Sequence, residues 1–160
     1  MGAAFAASFL QGGMLTASKL TVVEPLKEKH QHLDASLHCT VVTTLDATSA
    51  SADLIFLAVK PQIYQEVCVD LAQYLHENQM VVSIMAGVSL DTLQQSLLGH
   101  KKVVRAMPNL PAQIGDGMTV FLSNPTLSEA EVRYLRDLFA TSGKALEVRE
   151  ERLIHAATAL

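Results

Sequence analysis

Residues Leu54 to Leu90 read LIFLAVKPQIYQEVCVDLAQYLHENQMVVSIMAGVSL: an apolar run, a helical stripe and a second apolar run. The first run, Leu54 to Val59, holds no polar residue, so it lacks the period-two alternation of a half-solvated strand. Ile63, Val67, Leu71 and Leu75 then recur at four-residue steps and mark one face of a helix starting just after Pro61, a residue suited to a first helical turn. Met80 to Ile84 is the second apolar run. Strands that are apolar on both faces are buried between helical layers, and that is the mark of a parallel sheet.

The alternation extends outward from this segment. Leu20 to Val23 is an earlier run; Leu90, Leu93 and Leu97 form a shorter helical stripe that Gly99 ends, and Val103 to Met107 is a further run. Ser128 and Glu131 have the spacing of a capping box, Leu127 and Val132 that of a hydrophobic staple, and Leu135, Leu138 and Phe139 the apolar face of the helix they start. Gly143 stops that helix, and Ala145 to Val148 reads as a last strand. Strands joined by crossover helices predict an α/β fold, a doubly wound Rossmann-like parallel sheet with helices on both faces. Its ligand site is expected in the crevice beyond the carboxyl ends of the strands. Met1 to Leu10 reads as a helix without the basic start of a signal sequence, so the first strand of such a sheet is expected to be missing.

With 160 residues and 49% hydrophobic content, the chain has enough apolar surface for one domain with a single core. The formal charge of -4, with acids and bases scattered, excludes the basic patch that a nucleic-acid partner requires. No apolar stretch approaches the roughly 20 residues of a membrane span. Cys39 and Cys68 lack metal-ligand or disulfide-framework spacing, which points to a reducing, cytoplasmic compartment. His30, His32 and His38 follow a charged helix with no carboxylate or thiolate pattern to complete a coordination shell, and read as solvated rather than metal-binding.

Three strand ends carry residues suited to a ligand. Ala58-Val59-Lys60-Pro61 brings backbone and a positive charge to one; Ala86-Gly87 makes the second narrow enough for close approach of a flat ring; Met107-Pro108-Asn109-Leu110-Pro111 fixes Asn109 at the third. Each has a plain reading as well: a solvated lysine, a tight turn with Ser89 as N-cap, and a structural turn around Asn109.

Together the three segments resemble the pyrroline-5-carboxylate reductases, a family marked by alanine-valine-lysine-proline, then valine-serine-x-x-alanine-glycine-valine, then methionine-proline-asparagine-x-proline. Here these stand at Ala58 to Pro61, Val82 to Val88 and Met107 to Pro111, in that order. The resemblance implies reduction of 1-pyrroline-5-carboxylate, a cyclic imine, to L-proline by hydride from NADH or NADPH. It implies that Gly2 is the third glycine of a dinucleotide fingerprint whose other two are not in this chain, and that Ala58, Val59, Lys60, Pro61, Ile84, Met85, Ala86 and Asn109 line the cofactor. Glu151 matches a substrate-contacting acidic position. Residues 1–149 correspond to an incomplete dinucleotide-binding domain, and residues 150–160 to the start of a helical dimerisation domain, the rest of which is absent. A full-length parent would then be a homo-oligomer, and the isolated chain inactive. No catalytic side chain and no metal are implied.

Two departures from the family bear on the cofactor. Glu24 follows the run at Val22-Val23, where an acid accepts hydrogen bonds from a ribose 2'-hydroxyl and repels a 2'-phosphate, and Leu45 replaces an asparagine suited to that phosphate. Both tilt the expectation toward NADH. Two rivals stay open: a related hydroxyacid dehydrogenase, and a non-catalytic nucleotide-binding or interaction fragment.

Overall fold

The computed structural model describes residues 1–158. In chain order these form α1 (Gly2–Gln11), β1 (Thr21–Val23), α2 (His30–Leu37), β2 (Thr40–Val42), β3 (Leu54–Leu57), α3 (Tyr64–Ala72), β4 (Met80–Ser83), α4 (Leu90–Ser96), β5 (Val103–Pro108), β6 (Gly117–Ser123), α5 (Glu129–Ala140), β7 (Gly143–Glu147) and α6 (Glu151–Thr158). The expected α/β architecture is present: a mostly parallel sheet with helices packed on both faces. Strands β3, β4 and β5 are parallel neighbours, with Leu57 level with Ser83 and Ser83 level with Arg105, so their carboxyl ends reach a common rim.

The strands fall into two sheets, β1–β2 and β3-β4-β5-β6-β7. Strand β6 was not expected from the sequence, and it runs antiparallel to β5. Residues 109–116 between them are too few for the crossover helix that a parallel return needs, so the chain folds straight back. Helix α5 does supply such a crossover, and β7 therefore runs parallel to β6. The three-residue β2 is too short to show periodicity, and pairs only with β1.

Several boundaries also moved. Helix α3 starts at Tyr64 rather than beside Pro61, and Ile63 is its N-cap, 47% exposed, while Cys68 and Leu71 fill the buried face. Helix α2 contains His30 and His32 rather than preceding them, and His38, at φ +50°, ends it in the left-handed region. Strand β7 begins at Gly143, two residues before the expected Ala145. The capping box of α5 formed as its spacing required: the Ser128 hydroxyl accepts from the Glu131 amide, and the Glu131 carboxylate accepts from the Ser128 amide.

Packing explains why α1 lies where it does. On one face of the larger sheet α1 and α5 bury Phe5, Phe9, Leu135, Leu138 and Phe139 against Val82, Val104 and Phe121. All five phenylalanines of the chain meet there, with ring centroids 5.2 Å apart for Phe9 and Phe56 and 5.3 Å for Phe121 and Phe139, distances at which tilted rings attract. Ala6, on another side of α1, packs with Leu33 and Leu37 of α2 beside Val22 and Val41, so one helix joins the two sheets. The opposite face of the larger sheet is covered by α3 and α4 over Leu57, Val81 and Val103. Helix α6 adds Ile154 against Met107 and Val120 on β5 and β6.

Candidate dinucleotide site at the strand ends

The site is built on register. Ala58 follows β3, Ile84 follows β4 and Asn109 follows β5, three adjacent parallel strands, so Lys60, Ala86 and Asn109 stand along one rim of the sheet. Helix α1 begins at the same rim. A Cβ placed on Gly2 would lie 2.7 Å from the Ala58 Cβ, which has no flexible end to move aside, so glycine permits this approach. No side chain caps α1 and its first turn has no acid, which leaves the leading amides and the positive end of the helix dipole facing the rim without a carboxylate to neutralise them.

Each segment contributes differently. Lys60 is exposed and has no ion-pair partner among the described residues, while its carbonyl accepts from the Ile63 amide at 3.1 Å. Ile84 is half-buried and donates its amide to the Leu57 carbonyl at 3.2 Å, which holds the start of its turn against β3. Met85 is 2% exposed and anchors the turn in the core, so that only its backbone is available to a ligand. Ala86 and Gly87 are exposed; Gly87 lies at φ +79°, and nothing lies within 4 Å of where its Cβ would be. That turn presents peptide planes with almost no side chain in front of them. Asn109 is exposed, but its Oδ1 accepts from the Met118 amide at 2.9 Å, which ties the rim to β6 and leaves Nδ2 as the free donor.

Glu24 stands at the end of β1, where its amide donates to the Val42 carbonyl at 2.9 Å. Its carboxylate turns back on its own loop, with Oε1 accepting from the Leu26 amide at 3.0 Å and Oε2 3.5 Å from the Lys29 ammonium. Leu45 is half-buried against the cluster that includes Leu57 and Cys68, so it offers no polar group to a ligand.

Glu151 occupies a different position from the rest. It lies in the first turn of α6 and its carboxylate accepts from the Arg105 guanidinium and from the Leu90 amide, the latter at 3.0 Å. Arg105 is a residue that the sequence analysis did not single out, although a charge inside the apolar run from Val103 to Met107 was the signal to look for. Ala159 and Leu160, at the end of the segment compared with a dimerisation domain, lie outside the described residues.

His30 directs Nε2 to the Glu24 carbonyl at 2.6 Å, His32 and His38 are exposed, and no group of three His, Cys, Asp or Glu among the described residues is arranged to hold a metal ion. Two clefts are lined by the described residues, the larger of them reaching Leu90 and Glu151. One of about 300 Å³ borders His30, Asp34 and Cys39. The other, about 740 Å³ and open, lies between the start of α4, α5 and the β6 and β7 ends, beside Arg133 and Arg149. No helix among the described residues is long and apolar enough to cross a membrane.

Comparison with known proteins points to one family and one fold. The family model described as "NADP oxidoreductase coenzyme F420-dependent" matches residues 1–87. The pyrroline-5-carboxylate reductase of Escherichia coli K12 is 32% identical over 155 residues, covering 97% of this chain and 57% of that protein. A solved pyrroline-5-carboxylate reductase from Coxiella burnetii superposes with a TM-score of 0.89 at 25% identity, over 98% of this chain and 58% of its own. The Plasmodium falciparum pyrroline carboxylate reductase, solved with NADP bound, shares the fold with a TM-score of 0.81 at 24% identity, over 96% of this chain and 55% of its own. The chain thus spans a little over half the length of the relatives it matches.

Proposed function

Because the chain belongs to the family of coenzyme F420-dependent NADP oxidoreductases and matches pyrroline-5-carboxylate reductases along nearly all of its length, we propose that it forms the nicotinamide-dinucleotide-binding domain of an enzyme that reduces 1-pyrroline-5-carboxylate to L-proline. The observation that carries this reading is the meeting of an uncapped helix start with three parallel strand ends at one rim. The residues present suit a dinucleotide. The leading amides of α1 favour an anionic phosphate, Lys60 adds a mobile cation, and the bare turn at Ala86 and Gly87 admits a flat ring.

When bound, the reduced nicotinamide supplies the hydride that adds to the carbon of the carbon-nitrogen double bond. The chain's own part is positional. Buried Met85 holds the 84–87 turn at fixed height over β4, and the backbone of Ala58 to Pro61 bounds the other side, so two flat reactants are held in one orientation and water is displaced from between them. No protein nucleophile is needed in this reading.

Glu24 favours NADH over NADPH within this reading. Its carboxylate sits at the end of β1, where it would accept from a ribose 2'-hydroxyl and repel a 2'-phosphate. A homo-oligomeric parent and a cytoplasmic location belong to the proposal on the strength of the resemblance alone.

The test is to express the longest native reading frame containing this chain and to follow dinucleotide oxidation with pyrroline-5-carboxylate. Imine-dependent oxidation with proline as product is expected. Dinucleotide binding without any imine turnover would instead support a non-catalytic nucleotide-binding role. Within an active protein, Lys60→Ala should raise the KM for dinucleotide about tenfold, the weight of one hydrogen bond to a charged group; an unchanged KM would return Lys60 to the solvated surface.

A further inference from the structure

Among the described residues Arg105 is the one charged side chain that is buried, at 1% exposure. It lies on β5, level with Ser83 of β4 and Leu122 of β6, on the face covered by α4 and α6. Its guanidinium donates through Nη1 to Glu151, while its Nε is buried with no partner. Glu151 is therefore its only ion-pair partner among the described residues.

The same carboxylate has a second role. Its Oε1 and Oε2 accept from the Leu90 amide, at 3.0 Å and 3.4 Å, across 61 positions of sequence. Leu90 is the first residue of α4, directly after the turn that carries Ile84, Met85 and Ala86. Ser89 caps that helix through the Thr92 amide at 3.1 Å, but the Leu90 amide has no other acceptor, so its position depends on Glu151. One carboxylate thus joins β5, α6 and the start of α4. Both of its oxygens are engaged by the Leu90 amide, and Oε1 by Arg105 as well, while the side chain, 27% exposed, also borders the larger cleft.

We propose that Glu151 and Arg105 are positioning residues: the pair fixes the 84–88 turn through the Leu90 amide, so that the docking of α6 sets the height of the surface on which the dinucleotide lies. Burial makes the device stiff. The guanidinium, 1% exposed with Glu151 in place, holds the carboxylate that in turn holds the Leu90 amide. This inference rests on the proposed function only for the identity of the ligand.

The test combines amide hydrogen exchange with dinucleotide titration for the wild-type chain, Glu151→Gln, Glu151→Asp and Glu151→Ala. Glutamine keeps an oxygen for both Leu90 and Arg105; aspartate keeps the charge but shortens the reach; alanine removes both contacts. In the alanine variant, exchange at Gly87, Val88 and Leu90 should rise about tenfold relative to the core amide of Val82, with a matching loss of NADH affinity. Aspartate should show the same local increase, and glutamine should keep both readouts within about twofold of wild type. A uniform rise across all amides, with NADH affinity unchanged, would overturn the proposal. So would a glutamine substitution that, made in the longest native reading frame, raises the KM for imine as much as alanine does while NADH binding stays intact, because Glu151 would then be touching substrate. A wild-type chain that bound neither NADH nor NADPH would remove the dinucleotide reading, and the local exchange response would still decide whether Glu151 holds the turn.

Discussion

Gly143→Ala probes how tightly β6 and β7 are joined. Gly143 lies at φ +133° opposite Gly117, and a Cβ built on it would fall 2.1 Å from the Gly117 carbonyl oxygen and 2.4 Å from its nitrogen. Both neighbours are backbone, so neither can rotate away and the strand has to move. The unfavourable φ costs about 1–3 kcal/mol and the forced displacement about 1–3 kcal/mol more, together about 2–6 kcal/mol, a large part of the stability of an ordinary domain. Gly13→Ala is the matched control: φ is +69° but nothing lies within 4 Å of the new atom, so only the conformational cost of about 1–2 kcal/mol applies. Urea unfolding followed by circular dichroism, with the slope of the transition unchanged, should show Gly143→Ala losing about 1–3 kcal/mol more than the control. Equal losses in the two variants would refute the reasoning and mean that the strands part freely. The displacement should also reach the site, because Ala112 packs 2.4 Å from where a Gly117 Cβ would be, in the turn that follows Asn109.

Glu24→Ser should shift preference from NADH toward NADPH about fivefold or more, since like charges about 4 Å apart repel by roughly 1–4 kcal/mol at surface dielectrics; an unchanged ratio would show that Leu26 and Lys29 keep the carboxylate turned from the ribose. The Lys102 ammonium, with help from Ser128, holds the Glu131 carboxyl below the ordinary carboxylate range. A lowered folded value contributes stability that is complete above the unfolded pKa and is lost as pH falls through the folded one. The stability gap between wild type and Glu131→Gln should accordingly be widest above the ordinary carboxylate range and close as the pH falls below it, and a gap independent of pH would contradict the assigned cause. Burial pushes the Cys68 thiol up to about 11 and its side chain is fully covered, so iodoacetamide at about pH 8 should label it only as fast as the chain unfolds. Faster labelling would mean that the α3 face opens locally.

The sequence made the buried parallel strands legible because their signal is local: Leu54 to Leu57, Met80 to Ser83 and Val103 to Met107 are apolar runs, broken only by Ser83 and Arg105, without period-two alternation, and each helix between them showed a stripe or a cap. The antiparallel return at β6 was obscured by the Pro- and Gly-rich stretch before it, even though Met118 to Leu122 is rich in β-branched and aromatic residues suited to a strand. Its direction depends on the length of the preceding connection rather than on any residue inside it. At the site, the three strand-end segments could be read from order and spacing. The engagement of Glu151 could not, since its partners at Leu90 and Arg105 lie 61 and 46 positions away and meet it only once α6 has docked.

The division of the strands into two sheets leaves main-chain groups of β1 and β3 unpaired. Because the Asp53 and Leu57 carbonyls serve β4, the alternation of a parallel ladder turns the main-chain groups of Leu54 and Phe56 the other way; by the same rule Thr21 and Val23 of β1 face away from β2. Neither margin bears a lysine, a proline or a bulge to discourage a foreign strand, and Leu54 to Leu57 is wholly aliphatic or aromatic. Among the described residues, these two short margins are where a further strand would find unpaired main-chain groups to bond.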